Sequence, residues 1–232
     1  MSVFSEPGYL EINRARLEHL ESILDSCVDV RGRSVLELGA GVGDLTAPFM
    51  LRGGKVTTTD ARPEHVAALR ERWPAALALQ LDACNPAWQS ASFDVVSCYG
   101  LLYHLDRPLS ALSWMAESCS GVLLLETCVS RGDETQVFFF AEEAADPRNS
   151  VRGLGCRPTR SWIWETLTDL FEHVYAAVEQ PAHPEFPLDW SAPPADGNVR
   201  AVFVASRSPL ASPLLTAGLP TTHVIHQADP NG

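Results

Sequence analysis

Apolar positions in this chain fall into two patterns, short uninterrupted runs and stretches at helical spacing, and the two alternate. Runs at VLEL (35–38), VTTTD (56–60), ALALQLDA (ending in Asp82 and Ala83), FDVVSCY (from Phe93) and GVLLLETC (from Gly121) read as five buried strands. Between the second and third, the stretch from about Pro63 to Arg72 carries Val66, Ala67, Leu69 and Arg70 on one side, as a helix laid on a sheet does. An earlier helical stretch, from about Glu11 to Cys27, puts Ile12, Ala15, Leu20, Ile23 and Leu24 on one broad face. A later one turns Trp162, Ile163, Leu167 and Leu170 inward, with Thr159 placed to cap it. HVYAAVEQ and VRAVFVASR are strand-like and joined by a proline-rich loop, 181–194. This order predicts an α/β fold, a doubly wound and mostly parallel sheet that receives ligands beyond the carboxyl ends of its strands. The pattern divides the chain into an amino-terminal helical segment (1–30), a main domain (31–207) and a tail (208–232). The main domain carries an insertion at about 130–160, after the fifth strand. The tail is rich in proline and small residues, lacks periodicity, and is expected to be loosely ordered.

The chemistry concentrates in VLELGAGVGDLT, from Val35 to Thr46. Gly39, Gly41 and Gly43 permit a tight turn and a close backbone approach to a ligand that a Cβ would obstruct. Asp60, ending the second strand, is placed to accept hydrogen bonds from both hydroxyls of a ribose. A nucleoside-containing cofactor follows, and two classes compete. The dinucleotide fingerprint G-x-G-x-x-G/A requires a third small residue where Asp44 stands, and a carboxylate there opposes a pyrophosphate. Glu37 likewise repels phosphate but suits a cation. S-adenosylmethionine has no phosphate and carries an ammonium and a sulfonium, so acidic surroundings favour it.

The ELGAGVGD string resembles the glycine-rich first motif of the class I S-adenosylmethionine-dependent methyltransferases. The motifs that follow keep that family's order over roughly residues 34 to 128. The resemblance implies a Rossmann-like, seven-stranded sheet closed by an antiparallel hairpin, with S-adenosyl-L-methionine as cofactor. It implies that Glu37, Gly39, Ala40, Gly41, Asp60, Ala61, Arg62, Asp82, Ala83, Tyr99 and Gly100 form the cofactor site. In that set Asp82 binds the adenine amino group and the Ala83 amide a ring nitrogen. It also implies that the amino-terminal helix is a lid; Tyr9, just before that helix, is within reach of the pocket as a packing residue or as a substrate or cofactor contact.

Such a cofactor brings an activated methyl group, and the protein chiefly holds a nucleophile in line with it. His104 follows the fourth strand, where the acceptor lies, and is the leading candidate for a general base. Tyr103 is a weaker alternative. The competing reading is that YHLDRP orders the loop whatever the substrate, because the sequence is common in the family. Asp94 begins its strand rather than ending it, which marks it as structural.

Composition narrows the partners. The net charge of −12 opposes encounter with nucleic acid unless a local basic patch overrides it. Arg148, Arg152, Arg157 and Arg160 form one patch, either pairing with Glu142, Glu143 and Asp146 or lining an anion-binding rim. Arg157 and Arg160 are taken as substrate-binding candidates on the second reading. The 46% of hydrophobic residues suits a globular domain, with neither an apolar leader nor a run of membrane-spanning length, so the chain is expected to be cytoplasmic. Its six cysteines have no C-x-x-C spacing and read as reduced thiols, with no metal expected.

The leading expectation is methyl transfer to a small-molecule acceptor, with oxygen the favoured target. GLLYHLDRP is also similar to a segment of tRNA wobble-uridine modification enzymes, so an RNA-modifying enzyme is the alternative. A nicotinamide-dependent dehydrogenase is disfavoured by Asp44 and by the Asp82 motif, and a cofactor-binding regulator without catalysis stays open. The segments 135–159 and 181–198 should shape the acceptor pocket, with Trp162, Trp164 and Trp190 as an aromatic wall or as core.

Overall fold

The computed structural model describes residues 4, 6–86, 91–192 and 197–227. Residues 193–196 of the proline-rich loop and 228–232 of the tail lie outside the described residues, as do 1–3 and 5 of the amino-terminal segment.

Helix α1 (Pro7–Cys27) precedes β1 (Ser34–Leu38), the five-residue α2 (Ala47–Leu51), β2 (Lys55–Asp60), α3 (Pro63–Arg72), β3 (Leu77–Gln80) and β4 (Phe93–Tyr99). A single 3-10 turn at Leu102–His104 leads to α4 (Pro108–Glu117) and β5 (Cys119–Cys128). The insertion folds as a separate hairpin, β6 (Val137–Ala141) against β7 (Leu154–Pro158). After it come α5 (Arg160–Leu170), β8 (His173–Ala177), β9 (Glu179–Gln180), β10 (Arg200–Ser206), β11 (Leu215–Thr216) and β12 (Val224–Ile225).

The main sheet runs β11-β8-β10-β5-β4-β1-β2-β3. Strands β1 to β5 pair in parallel, whereas β10 is antiparallel to both β5 and β8. The chain leaves β1 toward β2 on one side and later fills β4 on the other, so the carboxyl ends of β1 and β4 flank the point where strand order reverses. A ligand crevice is expected there. Successive strand residues feed opposite cores, as the two-residue period requires. Leu36, Val96, Leu123, Leu125 and Phe203 pack with α4 and α5 through Leu112, Met115, Ile163 and Leu167. Val35, Val95, Leu124, Val202 and Val204 face the other way, onto Leu20, Ile23 and Leu24 of α1 and onto Phe49.

Helix ends follow local chemistry. Thr159 Oγ1 accepts from the Trp162 amide at 3.2 Å and caps α5. Pro63 and Pro108 stand at the first position of α3 and α4, where a missing N–H costs nothing. Asp94, at the start of β4, accepts from both the amide and the hydroxyl of Ser34 at 2.8 Å, tying two strands together at the edge far from the crevice.

Two expectations need correction. The sheet has eight strands rather than seven, because β11 adds antiparallel to the β8 edge. The described part of the tail is docked rather than loose. In it β12 pairs in parallel with β9, and His226 Nδ1 lies 2.8 Å from Glu179 Oε2. Backbone pairing, single polar contacts and the isolated leucines Leu210, Leu215 and Leu219 packed on the cores hold this segment, and none of these leaves an apolar period in the sequence.

Candidate active site

A cleft of about 430 Å³ opens at the carboxyl ends of β1, β2 and β4. The first turns of α1 and the 142–153 loop of the insertion roof it over.

The cofactor side is built by the glycine turn. Gly41 has φ 57°, a left-handed conformation that L side chains rarely adopt, and a Cβ there would project into the cleft, meeting only the Phe4 ring at 3.9 Å. Gly43, at φ 84°, has a different task. A Cβ there would strike the Trp73 indole at 2.7 Å, and Trp73 Nε1 donates to the Gly43 carbonyl at 2.9 Å. One glycine thus leaves room for a ligand and the other lets α3 pack on the turn.

Asp60 is held at the mouth of this turn. Its carboxylate accepts from the Gly41 amide at 2.9 Å and the Arg62 amide at 2.9 Å, and His65 Nδ1 lies 3.1 Å away. Glu37 is buried at the floor, where Thr46 Oγ1 (2.7 Å) and Thr58 Oγ1 (2.8 Å) both donate to Oε2. Burial pushes its carboxyl up to about 7, although the two threonine hydrogen bonds pull the other way. The Tyr99 hydroxyl is buried without a hydrogen-bond partner among the described residues, and its ring lines the cleft. An open glycine cradle, an acidic floor and an orphaned hydroxyl suit a cationic nucleoside ligand.

Ala40, Ala61, Arg62, Ala83 and Gly100 also line the cleft. Asp82 does as well, but its oxygens are engaged: Oδ1 accepts from the Cys84 amide at 2.9 Å and Oδ2 pairs with Arg152 at 2.7 Å. An adenine amino group would share that carboxylate with Arg152. Arg62 ties the overhanging loop down, donating to the carbonyls of Ala144, Asp146 and Asn149 at 2.8, 3.0 and 3.2 Å.

On the acceptor side, the 3-10 turn presents Tyr103 and His104 to the cleft. His104 Nδ1 lies 2.7 Å from Glu142 Oε2, which also accepts from the Ser150 amide at 2.7 Å. Burial alone would raise the Glu142 carboxyl, but the His104 contact, the Ser150 amide and Arg157 outweigh it and hold it below its usual range. A carboxylate fixing one imidazole nitrogen sets the tautomer and aims the other nitrogen, the arrangement of an oriented general base.

Behind this pair lies a buried charge network. Glu126, fully buried on β5, forms ion pairs with Arg16 of α1 at 2.7 Å and Arg200 of β10 at 2.9 Å. Burial would raise its carboxyl, and the two guanidinium groups more than reverse that. Arg200 also pairs with Glu185 at 2.5 Å and donates to the Tyr103 hydroxyl at 3.2 Å.

The structure thus brings Tyr9, Tyr103, His104 and Arg157 into one cleft with the cofactor set. Arg160 lies elsewhere. It stacks on Trp190 at 4.0 Å in a separate, shallow depression and donates to the Pro220 carbonyl. Arg148 pairs with Asp146 and Glu6 at the rim. Glu142, Glu126, Arg16 and Arg200 are the residues that sequence reasoning missed. A glutamate inside the apolar run LLLETC and an arginine on the buried face of α1 are the traces that the network leaves in sequence; Glu142 leaves none.

Known proteins share the fold and, in one segment, the sequence. Residues 36–119 match the model of a methyltransferase domain. A solved N-terminal domain of EvdMO1 with SAH bound superposes with TM-score 0.60 at 20% identity, covering 87% of this chain and 84% of that one. A Burkholderia thailandensis 1,6-didemethyltoxoflavin-N1-methyltransferase, solved with 1,6-didemethyltoxoflavin and S-adenosylhomocysteine, gives 0.58 at 21% identity over 86% and 80%. In sequence, a tRNA U34 carboxymethyltransferase of Vibrio vulnificus is 34% identical over 95 residues, 38% of this chain. The chain spans 29% of the length of that relative. The chain thus shares the fold of these solved structures, and its residues 36–119 are similar to a methyltransferase domain. Among the described residues, no helix is long and apolar enough to cross a membrane, and no group of three or more His, Cys, Asp or Glu is placed to hold a metal ion.

Proposed function

We propose that this protein methylates a small-molecule acceptor at oxygen, using S-adenosylmethionine, with His104 as general base. The observation that carries this reading is the His104–Glu142 pair opening into the same cleft as the glycine cradle. Gly39, Ala40 and Gly41 would hold the cofactor, with Asp60 on its ribose and Ala83 beside its adenine. When bound, the cofactor supplies an electrophilic methyl group on its sulfonium. Glu142 accepts a hydrogen bond from Nδ1–H of His104, which leaves Nε2 free to take the acceptor's hydroxyl proton as the oxygen attacks. The loop 142–153 and α1 border the cleft, and Tyr103 packs against the imidazole with ring centroids 4.0 Å apart. A base so placed contributes about 10²- to 10⁴-fold to the rate.

The test is a screen for transfer of labelled methyl from S-adenosylmethionine to small hydroxylated acceptors. Transfer that survives His104→Ala within about threefold removes His104 as base and leaves positioning of an already ionised nucleophile as the mechanism.

A second reading, modification of tRNA, is favoured by the sequence likeness to the Vibrio enzyme. The net charge of −12 opposes it, and the rim arginines Arg148 and Arg152 are already paired with Glu6, Asp146, Asp82 and Asp106. Tight binding of bulk tRNA at physiological salt would reverse the ranking.

A further inference from the structure

Five arginines line the cleft: Arg16, Arg62, Arg148, Arg157 and Arg200. Four of them form ion pairs, with Glu126 (Arg16 and Arg200), Glu64 (Arg62), or Glu6 and Asp146 (Arg148). Arg157 pairs with no carboxylate among the described residues. Its guanidinium is nevertheless fixed, 4.4 Å from the Phe140 ring centroid and 5.0 Å from that of Tyr103. One nitrogen donates to its neighbour's carbonyl, Cys156 O, at 2.9 Å and another to Asn198 Oδ1 at 3.2 Å. A guanidinium has five N–H donors, so this one keeps donors in reserve. Glu142 feels the charge of this group but forms no ion pair with it, so the spare donors stay open to a ligand anion.

From this geometry we infer that Arg157, with Tyr103 beside it, is the anchor for a carboxylate on the acceptor. The natural substrate is therefore a small hydroxy acid. The Tyr103 ring neighbours both the guanidinium and the His104 imidazole, at 5.0 and 4.0 Å from its centroid, so anchor and base share one aromatic contact. The Tyr103 oxygen already accepts from Arg200, which leaves its own proton to donate to the same anion. Charge selects the kind of anion. Glu142 and Glu185 also line this part of the cleft, so a monoanionic carboxylate is accommodated where a phosphate dianion is repelled. A carboxylate also matches the planar guanidinium fork.

The inference rests on the methyltransferase reading, and the experiment separates the two. Binding of S-adenosylhomocysteine is measured first, by calorimetry. With that ligand saturating, a panel of hydroxybenzoates and aliphatic hydroxy acids is titrated beside their carboxamides and the corresponding phosphate esters. Wild-type protein should bind at least one acid about 10- to 100-fold more tightly than its amide, the range for hydrogen bonds to a charged group. Arg157→Gln should abolish that preference while leaving S-adenosylhomocysteine affinity and melting temperature unchanged, and Arg157→Lys should restore part of it. If the cofactor product binds but no acid is preferred over its amide, the carboxylate anchor is overturned and the family reading stands. A preference for phosphate esters, or one that persists in Arg157→Gln, overturns it equally. If S-adenosylhomocysteine does not bind, the reading beneath fails and the anchor with it.

Discussion

Glu37 turns cofactor binding into a proton-release event that can be measured without knowing the acceptor. Its carboxyl is pushed up to about 7 by burial, so the empty folded protein holds about half a proton there at neutral pH. A cation entering the cleft stabilises the carboxylate and drives that proton off. Lowering the group by one unit takes its occupancy at pH 7 from about 0.5 to about 0.1, which releases about 0.4 proton and couples about 1.4 kcal/mol to binding. Affinity for S-adenosylmethionine should therefore rise with pH, by up to about tenfold across the range around 7. Affinity for S-adenosylhomocysteine, which lacks the sulfonium charge, should rise less. The assay is titration calorimetry in phosphate and in Tris, whose ionisation enthalpies differ widely. The apparent enthalpies should diverge for the wild type and converge for Glu37→Gln. Identical wild-type enthalpies in the two buffers, or undiminished proton release in Glu37→Gln, would refute the reasoning. Stability carries the same sign. Between about 4.5 and 7 the folded state binds more protons at this site than the unfolded chain, so stability declines as pH rises, by about 3 kcal/mol in all, and Glu37→Gln should flatten that slope.

Three further outcomes are expected. Asp60→Ala should weaken S-adenosylmethionine binding by about 1.5 to 3 kcal/mol in calorimetry, the range for hydrogen bonds to a charged group; wild-type affinity in a folded variant would remove Asp60 from the site. Gly41→Val should abolish cofactor binding with only a moderate loss in melting temperature, since the new side chain enters the cleft rather than the core; retained tight binding would exclude this turn as the cradle. Once an acceptor is known, His104→Ala should cut kcat by about 10²- to 10⁴-fold with cofactor affinity intact, and Glu142→Gln should lower kcat less while shifting the acidic limb of the pH–rate profile; unchanged profiles in both would leave the pair as loop scaffolding.

What was legible in the sequence was whatever local periodicity encodes. The apolar runs that became β1, β2, β4, β5 and β10 are buried on both faces, so the signal is continuous and hard to misread. The bounds expected for α3, Pro63 to Arg72, are those observed, because a proline opens it and a close-packed tryptophan ends it. The acceptor half was harder. Glu142 reaches His104 only because the β6–β7 hairpin folds back over the cleft, a long-range pairing that no spacing in the chain announces. The four arginines of the insertion read as one patch, yet Arg157 and Arg160, three positions apart, end in different cavities, because β7 gives way to α5 between them.

The docked tail constrains how the cleft opens. Ser22 of α1 hydrogen-bonds His226 at 3.2 Å, and His19 meets the Glu179 carbonyl at 3.0 Å, while Leu20, Ile23 and Leu24 sit in the core. The carboxyl-terminal half of α1 is thus moored to the sheet and to the last strand, and the helix cannot swing out as a rigid rod. The opposite end is held less: Gly8 faces open space, and Tyr9 and Asn13 border the cleft. Any change of shape in this helix on ligand binding is therefore confined to its first two turns, while the remainder stands as a fixed post.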